Sequence, residues 1–125
     1  MADEPIELVR NFCAAWSDGN LDALIGYFTD DAVYHNIPID PVTGKEAIRS
    51  TIEGFTAGVD KIEFRVHNIA ADGNVVLTER IDAFFAGERT IELPVMGTFE
   101  VTGGKIAAWR DYFDMNQFMS QLAGG

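Results

Sequence analysis

The chain has 125 residues, 47% of them hydrophobic, which is enough for one domain with a real core and too few for two. Its formal net charge of -11 comes from nine Lys and Arg against twenty Asp and Glu, and it argues against nucleic acid or an anionic membrane surface as a partner, since both need clustered cations. No run approaches the ~20 apolar residues of a membrane span, the start Met1-Ala2-Asp3-Glu4-Pro5 is acidic where a signal peptide is basic and then apolar, and the single Cys13 excludes an internal disulfide or a thiolate metal cluster, so a cytoplasmic protein is expected.

In chain order, Pro5 suits a helix start, and Ile6, Val9, Phe12, Cys13 and Trp16 follow at spacings of three and four, which predicts one amphipathic helix ending near Gly19. Cys13 falls in that stripe as plain core. Asn20 can cap a short second helix through Leu21, Leu24, Ile25 and Phe28, and Thr29-Asp30-Asp31 reads as a turn. Ala32 to Ile37 is a short strand, stopped by Pro38 and Pro41, in which Tyr34 and Asn36 point the same way. Thr43-Gly44-Lys45-Glu46 has the form of a capping box for a third helix that carries Ala47, Ile48, Thr51, Ile52 and Phe55 on one face and closes at Gly58.

From there the period changes to 2. Ile62, Phe64 and Val66 alternate with Glu63, Arg65 and His67 up to Asp72-Gly73, a hairpin dipeptide. In the next strand, Val75 to Phe85, the side chains of Val76, Thr78, Arg80, Asp82 and Phe84 share one face. Ala86-Gly87 permits a turn into a strand from Arg89 to Val101, with Ile91, Leu93, Val95 and Phe99 on one side and Pro94 marking an edge or a bulge. Thr102-Gly103-Gly104 turns into a last strand, Lys105 to Phe113, that sets Ala107, Trp109, Asp111 and Phe113 together. Asp114 can cap a final helix through Met115, Phe118, Met119 and Leu122. Helices, a short strand, a helix and then hairpin-linked strands predict an α+β fold, a single domain over residues 1–125 with helices on one face of a curved, mostly antiparallel sheet. Such a sheet leaves a blind pocket on its concave side.

Three strands each offer polar groups among apolar neighbours: Tyr34 with Asn36, Arg80 with Asp82, and Asp111 beside Trp109 and Phe113. If their faces converge, Arg80 is suited to hold two carboxylates at once through its planar fork. One proton on the carboxylate pair makes the cluster neutral and sets one acid and one base in the same cavity. Taken singly, each group also has a structural reading: Arg-x-Asp as a buried bridge, Tyr34 as a core tyrosine with a wet hydroxyl, Asn36 as a turn former, Asp111 as a solvated charge. His35 and His67 fall on the opposite faces and read as structural or exposed. No Gly-rich phosphate loop, Gly-x-Ser-x-Gly elbow or His-Glu-x-x-His helix is present, so neither metal nor nucleotide cofactor is expected.

Tyr34-His35-Asn36-Ile37-Pro38, Thr78-Glu79-Arg80-Ile81-Asp82 and Trp109-Arg110-Asp111-Tyr112-Phe113-Asp114, in this order and at these separations, resemble the limonene epoxide hydrolase family. The resemblance implies the cone-shaped fold of nuclear transport factor two, a homodimer, and cofactor-independent hydrolysis of a small apolar epoxide to a vicinal diol without a covalent intermediate. Carried over, Tyr34, Asn36 and Asp111 would hold the attacking water, with Asp111 as general base. Asp82 would be the general acid at the epoxide oxygen, and Arg80 would bridge the carboxylates. Phe84, Leu93, Val95, Phe113 and Phe118 would form the apolar walls that bind substrate. The competing readings on the same architecture are an isomerase or cyclase of the ketosteroid isomerase or polyketide cyclase type, and a non-catalytic ligand-binding domain.

Overall fold

The computed structural model describes residues 3–124; Met1, Ala2 and Gly125 lie outside them, and with them part of the acidic start. Helix α1 (Asp3–Ala15) runs into a 3-10 turn at Trp16–Asp18, which Gly19 ends in the left-handed region at φ 67°. Asn20 then caps α2 (Leu21–Ile25) by accepting from the Ala23 amide at 3.1 Å. The strands are β1 (Phe28–Asn36), β2 (Val42–Thr43), β3 (Lys61–Asp72), β4 (Val75–Ala86), β5 (Arg89–Thr102) and β6 (Lys105–Tyr112); α3 (Lys45–Thr56) precedes β3 and α4 (Met115–Gly124) follows β6. They form one curved, unclosed sheet in the order β2-β1-β6-β5-β4-β3, antiparallel throughout except where β1 runs parallel to β6. The fold is α+β, with the helices packed over the concave face.

The core lies between α1 and that face. Phe12 meets Trp16, Tyr27, Phe28, Phe99 and Trp109 edge-on at 5.1 to 6.0 Å, the geometry that sets a positive ring edge against a negative face. Trp109 is fully buried and stacks on Tyr34 at 4.2 Å, because Tyr34 is its cross-strand partner. Removing an aromatic ring from such a cluster costs about 3–5 kcal/mol.

Several boundaries differ from those the residues suggest. The second helix stops at Ile25, short of Phe28, and Thr29-Asp30-Asp31 lies inside β1, in the irregular stretch between the pairings of Phe28 with Ile106 and of Val33 with Ala108 on β6, which hold the strand on either side of the triplet. The capping box does not form: Thr43 is drawn into β2 opposite Val33, and Gly44, at φ 93°, is the residue at the helix entrance. The third helix ends at Thr56, whose hydroxyl donates to the Ile52 carbonyl at 2.7 Å. The β3–β4 loop is Gly73-Asn74, with Gly73 at φ 61°. A register shift between Val66 and Asn68 leaves His67 without a partner on β4, and another, opposite Glu100 and Val101, leaves Ala107 of β6 without a partner on β5, so the buried residue there is Ile106. The last strand ends at Tyr112, one residue before Phe113.

Pro94 sits where β5 has only β4 beside it, since pairing with β6 begins at Met96. That bare edge is covered from α4: the Gln121 amide accepts from Glu92 N and donates to Glu92 O, both at 2.9 Å, in place of a neighbouring strand. Asp114 caps α4 by accepting from the Asn116 amide at 2.9 Å. On the outer face Met96 lies opposite Tyr112, and both are exposed, as is Leu77. Among the described residues no helix is long and apolar enough to cross a membrane.

Candidate active site

Strand β4 turns Thr78, Arg80 and Asp82 onto the concave face, where they are 1%, 1% and 4% exposed. Arg80 lies flat between two carboxylates. Its Nε and Nη2 donate to Asp82 Oδ1 and Oδ2 at 2.9 and 2.7 Å, and its Nη1 and Nη2 donate to Asp111 Oδ1 and Oδ2 at 3.2 and 2.9 Å. Nη1 also donates to Thr78 Oγ1 at 3.2 Å. These bonds engage the full donor set of a guanidinium, which offers five N–H groups. The Phe64 ring closes one side, with its centroid 4.6 Å from Cζ.

Asp111 belongs to β6, which is separated from β4 by β5. The bridge is possible because the β5 residue between them, paired with both Thr78 and Asp111, is Gly97. A Cβ on Gly97 would collide with Arg80 Nη1 and stand 2.7 Å from Asp111 Oδ1 and 2.9 Å from Thr78 Oγ1. Asp111 Oδ1 also accepts from Trp109 Nε1 at 2.7 Å. Asn36 is the β1 partner of Asp111 in the parallel pairing, and its Oδ1 accepts from the Tyr34 hydroxyl at 3.3 Å.

Burial, with the Asp111 charge as a smaller contribution, pushes the Asp82 carboxyl up to about 6 despite the opposing pull of Arg80. Burial also disfavours charge on Arg80, but the two carboxylates outweigh it and hold the guanidinium well above its ordinary value. Burial raises the Tyr34 phenol, which therefore stays protonated and able to donate, and pushes the Cys13 thiol up to about 12, so it is an inert part of the core.

A cavity of about 350 Å³ opens over this cluster. Asp82, Asp111, Tyr34 and Asn36 line it, and Phe84, Leu93, Val95, Phe113 and Phe118 form its apolar walls. Arg80 is not part of the lining: it lies behind the carboxylates and orders them without facing the cavity. The residues singled out from the three strands thus meet at one place. Not singled out were α3, which contributes Ser50, Thr51, Gly54 and Phe55, and Ile39, Phe64 and Met115. Sequence reasoning also passed over Thr78 as an acceptor for Arg80, the Trp109 N–H, and Gly97. Thr78 carried a signal, since it shares the face of Arg80 and Asp82 at period 2. Gly97 in the interior of a long strand was another, because such a glycine marks a close approach of other groups.

An antiparallel-rich cone with one parallel pair, closed by helices over a blind pocket, is the architecture of nuclear transport factor two-like and SnoaL-like domains. Residues 3–124 match the model of the limonene-1,2-epoxide hydrolase catalytic domain, and the chain belongs to that family. It is 34% identical over 117 residues to the epoxide hydrolase EphG of Mycobacterium tuberculosis, a match covering 94% of this chain and 78% of that protein. The solved structure of a limonene epoxide hydrolase-like epoxide hydrolase from M. tuberculosis superposes with a TM-score of 0.85 at 34% identity, covering 99% of this chain and 92% of that one. A Xanthomonas campestris pv. campestris protein assigned as a polyketide cyclase superposes at 0.87 over 98% of both chains, but at 19% identity, which is a likeness of fold alone. The homologues make this chain a hydrolase and support epoxide hydrolysis as its general activity.

Proposed function

We propose that the protein hydrolyses a small apolar epoxide to a vicinal diol in one step, by water attack assisted by one acid and one base and without a cofactor. The observation that carries this reading is the shared guanidinium: Arg80 binds Asp82 and Asp111 from behind, so both carboxylates face one apolar cavity at a fixed separation. An isomerase needs a base and an oxyanion donor and has no evident use for this arrangement.

Asp82, with its carboxyl raised to about 6, is the general acid. Each of its oxygens accepts from Arg80 and keeps a second direction in which a proton can point to the epoxide oxygen. On Asp111, Oδ1 accepts from both Arg80 and Trp109 while Oδ2 accepts from Arg80 alone, so Oδ2 is the atom that takes the proton of water. Tyr34 orients Asn36 through its hydroxyl, and the Asn36 amide nitrogen, which donates to no side chain or backbone group among the described residues, holds the water. As the water oxygen bonds to one epoxide carbon, its proton passes to Asp111, the strained C–O bond breaks, and the leaving oxygen takes the proton of Asp82. The diol contains every atom of epoxide and water. Moving one proton from Asp111 back to Asp82 resets the site. The dry walls suppress free hydroxide and alkoxide.

Incubation with limonene oxide and cyclohexene oxide, followed by chromatography for diols, tests this reading. Diol from at least one is expected, and no diol from these or other apolar epoxides would reject it. The protein is further proposed to act as a cytoplasmic homodimer, for which the exposed Leu77, Met96 and Tyr112 on the outer sheet face offer an apolar surface. A monomer mass by light scattering would refute the dimer.

A further inference from the structure

We infer that Gly54 is a specificity-determining residue: it leaves the α3 side of the cavity mouth open for a long substituent on the epoxide. This rests on the reading given above. Gly54 lies within α3 and lines the cavity together with Ser50, one turn earlier, and with Thr51 and Phe55. The opposite side of the helix sends Ile48 and Ile52 into the core. A glycine inside a helix lowers its stability relative to alanine, so a reason for it is needed. Neither usual reason applies. Gly54 is not among the glycines with positive φ, and a Cβ built on it would meet nothing within 4 Å, in contrast to Gly97. What the missing side chain does provide is room in the wall of the cavity.

The direction of that room follows from exposure. Asp82 and Asp111 form the buried end of the cavity, whereas Ser50, Gly54 and Ile39 are exposed lining residues and form its rim. Phe55 and Phe118, both lining residues, each pack against Phe84, with ring centroids 6.3 and 6.1 Å from it. An epoxide whose oxygen reaches Asp82 therefore points its longest substituent toward the rim at Gly54. A compact ring ends before it; an alkyl chain of several carbons runs past it. The substrate class thus extends from small apolar epoxides to those that carry an extended apolar substituent.

The test compares wild type with Gly54→Ala, Gly54→Leu and Gly54→Phe on cyclohexene oxide and 1,2-epoxydecane, and records thermal unfolding of each. The ratio of kcat/KM for the long over the compact epoxide is expected to fall with side-chain size, slightly for Ala and about tenfold or more for Leu and Phe, mainly through KM. The Tm of Gly54→Ala should equal or exceed that of wild type. A ratio within about twofold of wild type in both large variants would overturn the inference, and so would a lower Tm for Gly54→Ala, which would make the glycine a requirement of the fold. If wild type opens neither epoxide, the epoxide reading fails, and the role of Gly54 is read instead from tryptophan-fluorescence titration with cyclohexanol and 1-decanol. The same shift in relative affinity would support it, and an unchanged ratio would overturn it.

Discussion

Trp109 donates its indole N–H to Asp111 Oδ1 at 2.7 Å, from two residues earlier on the same strand and the same face. Together with Arg80 it occupies Oδ1 of the carboxylate twice, whereas Oδ2 accepts from Arg80 alone. A hydrogen bond to a charged group is worth about 1.5–3 kcal/mol. Trp109→Phe keeps an aromatic ring in the stack and removes only the donor and some volume. The expected result in the folded fraction is a kcat about tenfold lower with KM little changed, and steady-state kinetics beside a thermal melt checks it. Unchanged kcat would mean that Arg80 alone orients Asp111.

Gly97 is the one position on β5 over which Arg80 and Asp111 meet. A methyl group there forces the guanidinium off one carboxylate, and overpacking of this kind costs about 1–3 kcal/mol before the lost ion pair is counted. Gly97→Ala is expected to lower Tm by several degrees and turnover by at least about 100-fold, as read by calorimetry and diol formation. Near-normal turnover would show that the bridge is not needed.

Arg80→Lys keeps the charge and loses the planar fork. An ammonium has three donors and cannot hold two carboxylates edge-on, so turnover should fall by about 100-fold or more although the net charge is conserved. Nearly full activity in a diol assay would reduce Arg80 to a plain counter-charge.

As the proposed general acid, Asp82 should link activity and stability to pH with a definite sign. Its carboxyl is raised from the ordinary 3.8 to about 6, so as an acid it is protonated below about pH 6 and lost above it. Turnover should decline toward tenfold per pH unit on the alkaline side. The stability contribution is fully present below about pH 3.8 and disappears as pH rises through about 6, because the unfolded chain ionises first. Asp82→Asn should lose about 100-fold or more in turnover, as should Asp111→Asn. The Asp82 variant should also flatten the denaturation midpoint between pH 4 and about 7, and a pH series of chemical melts that matches wild type across that window would contradict the assignment.

Direct water attack is separable from a covalent route by one turnover in ¹⁸O-water with enzyme in excess. The first diol should carry a single label and every protein carboxylate should remain unlabelled, because a carboxylate engaged with Arg80 and a water is better placed to take a proton than to attack carbon. Unlabelled diol, with label in the peptide containing Asp82 or Asp111, would establish an ester intermediate and leave epoxide hydrolysis standing.

Local rules acting on the residues alone place Arg80 beside Asp82, Tyr34 beside Asn36 and Trp109 beside Asp111, because alternation along a strand depends on neighbours two positions away. The caps at Asn20 and Asp114 are legible for the same reason: donor and acceptor lie within one turn of chain. The resemblance of three short motifs to a known family then grouped residues that periodicity could not. What only the tertiary structure decided is every relation set by register between distant segments. It pairs Gly97 with both Thr78 and Asp111, recruits Thr43 into β2 at the expense of the capping box, strips the partner from His67 and Ala107, and brings Gly54 of α3 to the rim of a cavity built mainly by strands. These follow from hydrogen-bonded pairing between strands and from the packing of α3 against the sheet, long-range terms whose free energy exceeds the propensity of any single turn or cap and is written in no local pattern.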